Sequence, residues 1–150
     1  MTTKIVYRAR SAYLVVAWSF VVAVISQVFL AGLSLFASAA NWGAHREFGY
    51  SLGFLALLLV VLAFLGRMPR AIGRWLALLF VVYAIQTILP NVRHDAPWIA
   101  ALHPVNALAV FWIALTHARR VGEVKHQLSS RNVMPRSPMS VGVTQPGQGD

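Results

Sequence analysis

Residues 48–65 have the sequence FGYSLGFLALLLVVLAFL and contain no charged side chain. As a helix with a rise of about 1.5 Å per residue, a segment of this length extends about 27 Å, close to the thickness of the hydrocarbon core of a bilayer. Its apolar residues occupy every face of such a helix, whereas a helix on the surface of a soluble domain is apolar on one face only. The segment therefore predicts a helix that spans a membrane.

Three further apolar segments of at least similar length lie on either side of this one. Together they predict four spans, at about residues 11–36, 48–65, 72–89 and 98–115. The connections between them are short, so consecutive helices must be antiparallel. Because lipid offers no hydrogen-bond partners to an exposed backbone, each span must satisfy its backbone internally, as a helix does. The predicted fold is an all-α integral membrane protein, an up-down four-helix bundle.

The composition of the whole chain agrees with this fold class. Of its 150 residues, 58% are hydrophobic and only 11% are charged, whereas about a quarter of the residues in a soluble domain are charged. These values exclude an ordinary soluble domain and a disordered chain. The sequence has no cysteine, which excludes disulfides, iron–sulfur clusters, thiolate zinc sites and covalently attached c-type haem.

The basic residues predict how the bundle is oriented. The formal net charge is +9, and most lysines and arginines lie before span one, between spans two and three, or after span four. Only Arg46 and Arg93 fall on the other side. Because basic residues flank spans on the cytoplasmic side, we expect a multi-pass protein of the cell membrane with both termini in the cytoplasm. The charge indicates topology and attraction to the lipid bilayer, and not binding to nucleic acid.

Three parts of the chain are distinguished by composition. Residues 1–10 form a basic cytoplasmic segment, residues 11–120 the transmembrane bundle, and residues 121–150 a basic tail rich in Ser, Pro, Gly and Gln. Such a tail is predicted to be disordered. Residues 37–39 resemble a signal-peptidase site, but the preceding apolar run of about 26 residues is longer than the ~7–15 of a signal peptide. A retained first helix is favoured, and cleavage is the alternative.

A few polar residues interrupt the apolar spans. They are Gln27, His45, Gln86, His103 and Asn106. Spans one and three run outward, so their glutamines come late, and spans two and four run inward, so their histidines come early. All these side chains are therefore predicted in the outer half of the bundle. Because polar groups are costly in lipid, their common depth predicts a shared pocket.

The spacing of these residues repeats along the chain. Gln27 precedes His45 by 18 residues, and Gln86 precedes His103 by 17. A small residue follows each histidine by four positions. These small residues are Gly49 and Ala107. The repeat predicts that the bundle is built from two similar helical hairpins, an arrangement that membrane folds often use.

The two histidines suggest a cofactor. Spans two and four lie diagonally in an up-down bundle, roughly 13–14 Å apart if neighbouring helices are separated by about 9–10 Å. A b-type haem with His45 and His103 as axial iron ligands fits such a gap, with His94 as an alternative partner at the outer surface, and electron transfer is its expected role. The other predicted cofactor-binding residues are Gln27, Gln86 and Asn106 as hydrogen-bond partners, Gly49 and Ala107 as small neighbours, and Arg46 as a partner for a propionate.

Two other functions account for the same residues. The polar side chains can form a purely structural cluster in a non-catalytic membrane scaffold or accessory subunit, or they can bind a quinone or a small lipid. Catalysis is not favoured, because none of the four acidic residues lies deep in a span and no nucleophile–base pair is evident. A membrane redox partner or a second copy of the chain is the expected protein partner.

Three short segments resemble a known family. The segments 27–32 (QVFLAG), 45–49 (HREFG) and 102–108 (LHPVNAL) are similar to the signature segments of a small four-span bacterial membrane family of unknown function. The resemblance covers about residues 7–120 and implies a membrane protein without implying an activity.

A more distant likeness is to one half of haem A synthase, a bundle in which histidines on the second and fourth helices face a haem. The motif of that family on helix two is Glu-x-x-His-Arg. His45 and Arg46 match it, and Trp42 takes the place of the Glu. The likeness implies haem binding at His45 and His103, and four-span b-type cytochromes offer the same geometric analogy.

Overall fold

A computed structural model describes the backbone of residues 3–133 and the side chains of residues 4–126. Its elements are five helices, with two short 3-10 segments in the connections. The helices are α1 (Thr3–Phe36), α2 (Trp42–Leu65), α3 (Arg70–Ile88), α4 (Pro97–Ala100) and α5 (Leu102–Val133). The 3-10 segments are Ala39–Asn41 and Leu89–Val92.

Four helical segments are long and apolar enough to cross a membrane. They are Lys4–Phe36, Ala39–Leu65, Arg70–Val92 and Pro97–His126. The described residues contain no strand. The predicted fold class, an all-α membrane protein with four spans, is therefore confirmed.

The helices are longer than the predicted spans. Helix α1 includes most of the segment 1–10, and residues 121–133, which were predicted to be disordered, continue α5. The physical reason is that Lys and Arg are good helix formers and that these turns also pack against the bundle, since Ala9 and Val121 are buried. The rest of the predicted disordered tail, residues 134–150, lies outside the described residues.

The four long helices form two hairpins, α1–α2 and α3–α5, which meet along α1 and α5. Helices α2 and α3 are consecutive in sequence but make few contacts with each other. Helix α2 is therefore diagonal to α5. We call the end of the bundle that carries the α2–α3 turn the basic end, because Arg67, Arg70 and Arg74 lie there. The opposite end is called the far end.

The core lies where the two hairpins meet, and large apolar side chains also cover the outside. Tyr13 and Phe20 on α1, Leu59 on α2 and Leu79 on α3 are fully buried. Many other large apolar side chains point outward and stay exposed. Such a surface is unfavourable in water, so the bundle is suited to a lipid bilayer.

Candidate functional site

The two hairpins make the same histidine contact at the far end. His45 Nδ1 on α2 lies 3.1 Å from the backbone oxygen of Gln27 on α1. His103 Nδ1 on α5 lies 3.0 Å from the backbone oxygen of Gln86 on α3. A carbonyl oxygen can only accept a hydrogen bond, so Nδ1 carries the proton in both rings. In each neutral imidazole, the lone pair is then on Nε2.

The two histidine rings also lie against each other. Their centroids are 6.2 Å apart, and their planes are inclined by 76°. Trp42, in the first turn of α2, packs edge-on against His45 at a centroid distance of 5.5 Å. Both histidines are half-buried. Helices α2 and α5 are diagonal, so this contact joins the two hairpins across the bundle.

In the second hairpin, side-chain hydrogen bonds satisfy the whole polar group. Gln86 Nε2 donates to His103 Nε2 at 3.2 Å. Asn106 Nδ2 donates to Gln86 Oε1 at 2.7 Å and to the backbone oxygen of Val82 at 2.9 Å. Both ring nitrogens of His103 are thus hydrogen-bonded to Gln86, and Asn106 holds the amide of that glutamine in position. We call Gln27, His45, Gln86, His103 and Asn106 the polar cluster.

The first hairpin lacks this network. The amide of Gln27 lies directly against Gly49, where an added Cβ would collide with Gln27 Nε2. Gln27 Oε1 is buried and has no hydrogen-bond partner among the described residues. The two hairpins therefore share the histidine–carbonyl contact but differ in their glutamine side chains. The first hairpin leaves a buried acceptor beside the histidine pair.

The remaining predicted site residues lie at different distances from this cluster. Gly49 touches Gln27, as described, and Ala107 is half-buried one turn after His103. Arg46 is exposed on α2, next to His45. Among residues 4–126, no group of three or more His, Asp or Glu side chains is arranged to hold a metal ion.

Sequence reasoning missed Tyr83, which bridges α3 to α2. Its hydroxyl donates to the backbone oxygen of Gly49 at 2.9 Å, and its ring packs edge-on against Phe20. A Cβ added to Gly53 would lie 3.3 Å from the same hydroxyl. The available sequence signal was the pair of glycines four residues apart, which leaves one face of α2 open for a large polar-tipped side chain.

A second buried polar pair, also missed, lies nearer the basic end. Tyr13 Oη on α1 and His117 Nε2 on α5 are 2.8 Å apart. Both residues are fully buried, with at most 1% of their surface exposed. His117 Nδ1 has no hydrogen-bond partner among the described residues. Span four was predicted to end at residue 115, and the continuation of α5 places His117 inside the bundle.

Comparison with known proteins finds a match to a family over part of the chain and indicates no activity. Residues 27–92 match the profile of DUF6220, a family of unknown function. The matched stretch includes five of the predicted site residues: Gln27, His45, Arg46, Gly49 and Gln86. The predicted resemblance to an uncharacterised family is confirmed over this stretch, whereas the likeness to haem A synthase stays a prediction. No curated protein and no solved structure matches the chain significantly.

Proposed function

We propose that this integral membrane protein binds one b-type haem at the polar cluster, with His45 and His103 as axial ligands. The observation that carries the proposal is the matched pair of Nδ1 hydrogen bonds to Gln27 and Gln86. A hydrogen bond from the non-ligating nitrogen to a carbonyl fixes the tautomer and the ring orientation of histidine ligands. Both rings are therefore in the tautomer that leaves Nε2 for iron.

The separation of the rings supports the same proposal. Two imidazoles on one iron, each with its nitrogen about 2 Å from the metal, have ring centroids roughly 6 Å apart. The centroids of His45 and His103 are 6.2 Å apart. Haem bound between them supplies one-electron transfer, and the expected partner is a membrane protein that donates or accepts the electron.

The other residues of the cluster have supporting roles in this proposal. Ligation at His103 requires the Gln86 amide to give up its hydrogen bond to Nε2, and Asn106 then holds that amide nearby. Gln27 Oε1 is a buried acceptor without a partner among residues 4–126 and is suited to accept from a protonated carboxyl group. Arg46, exposed next to His45, is a suitable partner for an ionised propionate.

The test is a haem titration of the purified protein in detergent, followed by visible absorption. We expect a Soret band with low-spin character at one haem per chain. His45→Ala and His103→Ala should each abolish the low-spin spectrum. His94→Ala is the matched control, since His94 is exposed in the α3–α4 connection, and should bind haem as the unchanged protein does. Absence of a Soret band, or an unchanged spectrum in both alanine variants, would refute the proposal.

A structural cluster in a scaffold or accessory subunit is the second candidate. It is favoured by one observation: both ring nitrogens of His103 and both ends of the Gln86 amide are already satisfied within the protein. In that case, His103→Ala lowers the thermal midpoint of a protein that never takes up haem. For the quinone alternative, His45 Nε2 as an acceptor suits the hydroxyl of the reduced quinol, whereas the carbonyl of the oxidised quinone requires a donor.

We further propose that the basic end faces the cytoplasm, so that the polar cluster lies in the outer half of the cell membrane. This orientation rests on the distribution of lysine and arginine alone. The arginines of the α2–α3 turn lie at the same end of the bundle as the start of α1 and the later turns of α5. Among the residues whose placement is described, Arg46 and Arg93 are the only basic ones at the far end.

A further inference from the structure

A groove open to the outside separates α2 from α3 near the basic end. It has a volume of about 540 Å³ and is lined mainly by apolar groups. Val60 and Phe64 form the α2 wall, and Gly73, Ala77 and Phe80 form the α3 wall. The groove exists because these two helices are joined by a tight turn but make few contacts along their length.

Three arginines occur along the chain at the basic end of this groove. Arg70 lines it directly, and Arg67 and Arg74 lie three and four residues away along the chain. All three are exposed, and none has an ion-pair partner among the described side chains. The sequence explains why, since no acidic residue occurs between Glu47 and Asp95. The positive charge at the mouth of the groove is therefore not neutralised by its own hairpin.

We propose that this groove binds one anionic phospholipid from the leaflet at the basic end. An acyl chain fills the space between Phe64 and Phe80, and the phosphate lies against Arg70 with Arg67 and Arg74 nearby. Basic pockets between transmembrane helices are suited to anionic head groups, and the apolar walls are suited to a chain. This proposal is independent of haem binding, because the groove and the polar cluster lie at opposite ends of the bundle.

The charges argue against other occupants. A second copy of the chain docked symmetrically through this groove would bring two sets of arginines together, and like charges in close contact are unfavourable. A free phosphate ion would satisfy the arginines but would leave the apolar walls uncovered. A phospholipid is the occupant that matches both the charge and the walls.

Gly73 provides a sharp test. A Cβ added at this position meets no atom within 4 Å, and Gly73 lines the groove, so Gly73→Phe is designed to place an aromatic ring in the groove. Gly32→Phe is the matched control: a Cβ there also meets no atom within 4 Å, and Gly32 lies on α1, away from the groove. Arg70→Gln removes the charge that lines the groove, and Arg93→Gln is its charge control in the α3–α4 connection.

The measurement is native mass spectrometry of the detergent-purified protein with added phosphatidylglycerol or phosphatidylcholine. We expect one phosphatidylglycerol to be retained in preference to phosphatidylcholine, and Gly73→Phe to abolish this retention. Arg70→Gln should weaken the retention of phosphatidylglycerol roughly fivefold, because a single basic residue contributes about this factor to binding at an anionic surface. Gly32→Phe and Arg93→Gln should leave it unchanged.

Several outcomes would overturn the proposal. Equal retention of the two lipids would remove the role of the arginines, and undiminished retention by Gly73→Phe would place the lipid elsewhere. Displacement of phosphatidylglycerol by millimolar inorganic phosphate would show that the site binds a phosphate ion and does not recognise the lipid. A change from dimer to monomer on Gly73→Phe, without loss of lipid, would identify the groove as an interface between copies.

Discussion

At the scale of single residues, two features shape the polar cluster. They are the tautomers of the two histidines and the close contact between the Gln27 amide and Gly49. The backbone oxygens of Gln27 and Gln86 accept from the two histidines, and this fixes which nitrogen of each ring is left for a ligand. Gly49 matters for a steric reason, because its hydrogen atom gives the Gln27 amide room beside α2. The approach of that amide determines how closely α1 and α2 pack at the far end.

This close approach makes Gly49→Ala informative. The added methyl group collides with the Gln27 amide. Because this amide is the end of a flexible side chain and can move aside, we expect a loss of about 1 kcal/mol, the low end of the range for overpacking. Adding Gln27→Ala removes the colliding group, so the double variant should recover most of the lost stability. Unfolding in mixed micelles with increasing sodium dodecyl sulfate measures the free energies. Gly32→Ala, at an open position, is the control, and equal losses in both glycine variants would contradict the steric explanation.

At the scale of helices, the hairpins are held together by apolar packing along α1 and α5 and by a small number of polar bridges. The bridge between Tyr13 and His117 joins α1 to α5, and Tyr83 joins α3 to α2. In a bilayer the interior of the bundle is no more apolar than the lipid, so such hydrogen bonds and close packing contribute a large share of helix association. The weakly packed α2–α3 boundary is what leaves the groove near the basic end.

The bridge between α1 and α5 leads to a second prediction. Tyr13→Phe removes the hydroxyl and leaves both nitrogens of buried His117 without a partner, which should cost about 1–3 kcal/mol. Combining it with His117→Leu replaces the orphaned imidazole by an apolar group, and the double variant should be more stable than Tyr13→Phe alone. Thermal unfolding in detergent compares them with Tyr7→Phe, whose side chain is exposed on the same helix. A Tyr13→Phe variant as stable as Tyr7→Phe would show that the bridge is unimportant.

The sequence predicts the helices better than it predicts their contacts. Four apolar segments are recognisable locally, and the common depth of Gln27, Gln86 and the two histidines follows from the alternating direction of the spans. The helices extend beyond the predicted spans, because basic residues can lie outside the bilayer and still continue a helix. The tyrosine contacts were missed because Tyr13 and Tyr83 are compatible with either lipid or the interior. Which one a tyrosine faces depends on helix rotation, and packing determines that rotation.

At the scale of the whole molecule, the asymmetry of charge is the basis of the proposed orientation. The arginines gather at one end of the bundle and the polar cluster lies at the other, so the proposed haem and lipid sites face different leaflets. In the orientation proposed from the positive-inside rule, the proposed lipid site faces the cytoplasmic leaflet and the proposed haem site the outer one. The leaflet that each proposed site faces therefore depends on the topology.

The topology can be measured directly because the chain has no cysteine. Ala39→Cys introduces a thiol in the exposed α1–α2 connection, and Ala71→Cys introduces one in the exposed first turn of α3. A membrane-impermeant maleimide should label Ala39→Cys on intact cells and should label Ala71→Cys only after permeabilisation. The opposite pattern would invert the orientation and move the polar cluster to the cytoplasmic half.

The most direct test of the account is nitrogen-15 NMR of the imidazoles in the detergent-solubilised protein, before and after one equivalent of ferric haem is added. Before addition, both His45 and His103 should carry a proton on Nδ1. After addition, both signals should leave the diamagnetic range, while those of His94, His117 and His126 stay within it. Protonation at Nε2 in the free protein, or unshifted His45 and His103 signals after haem is added, would contradict the proposed ligand pair.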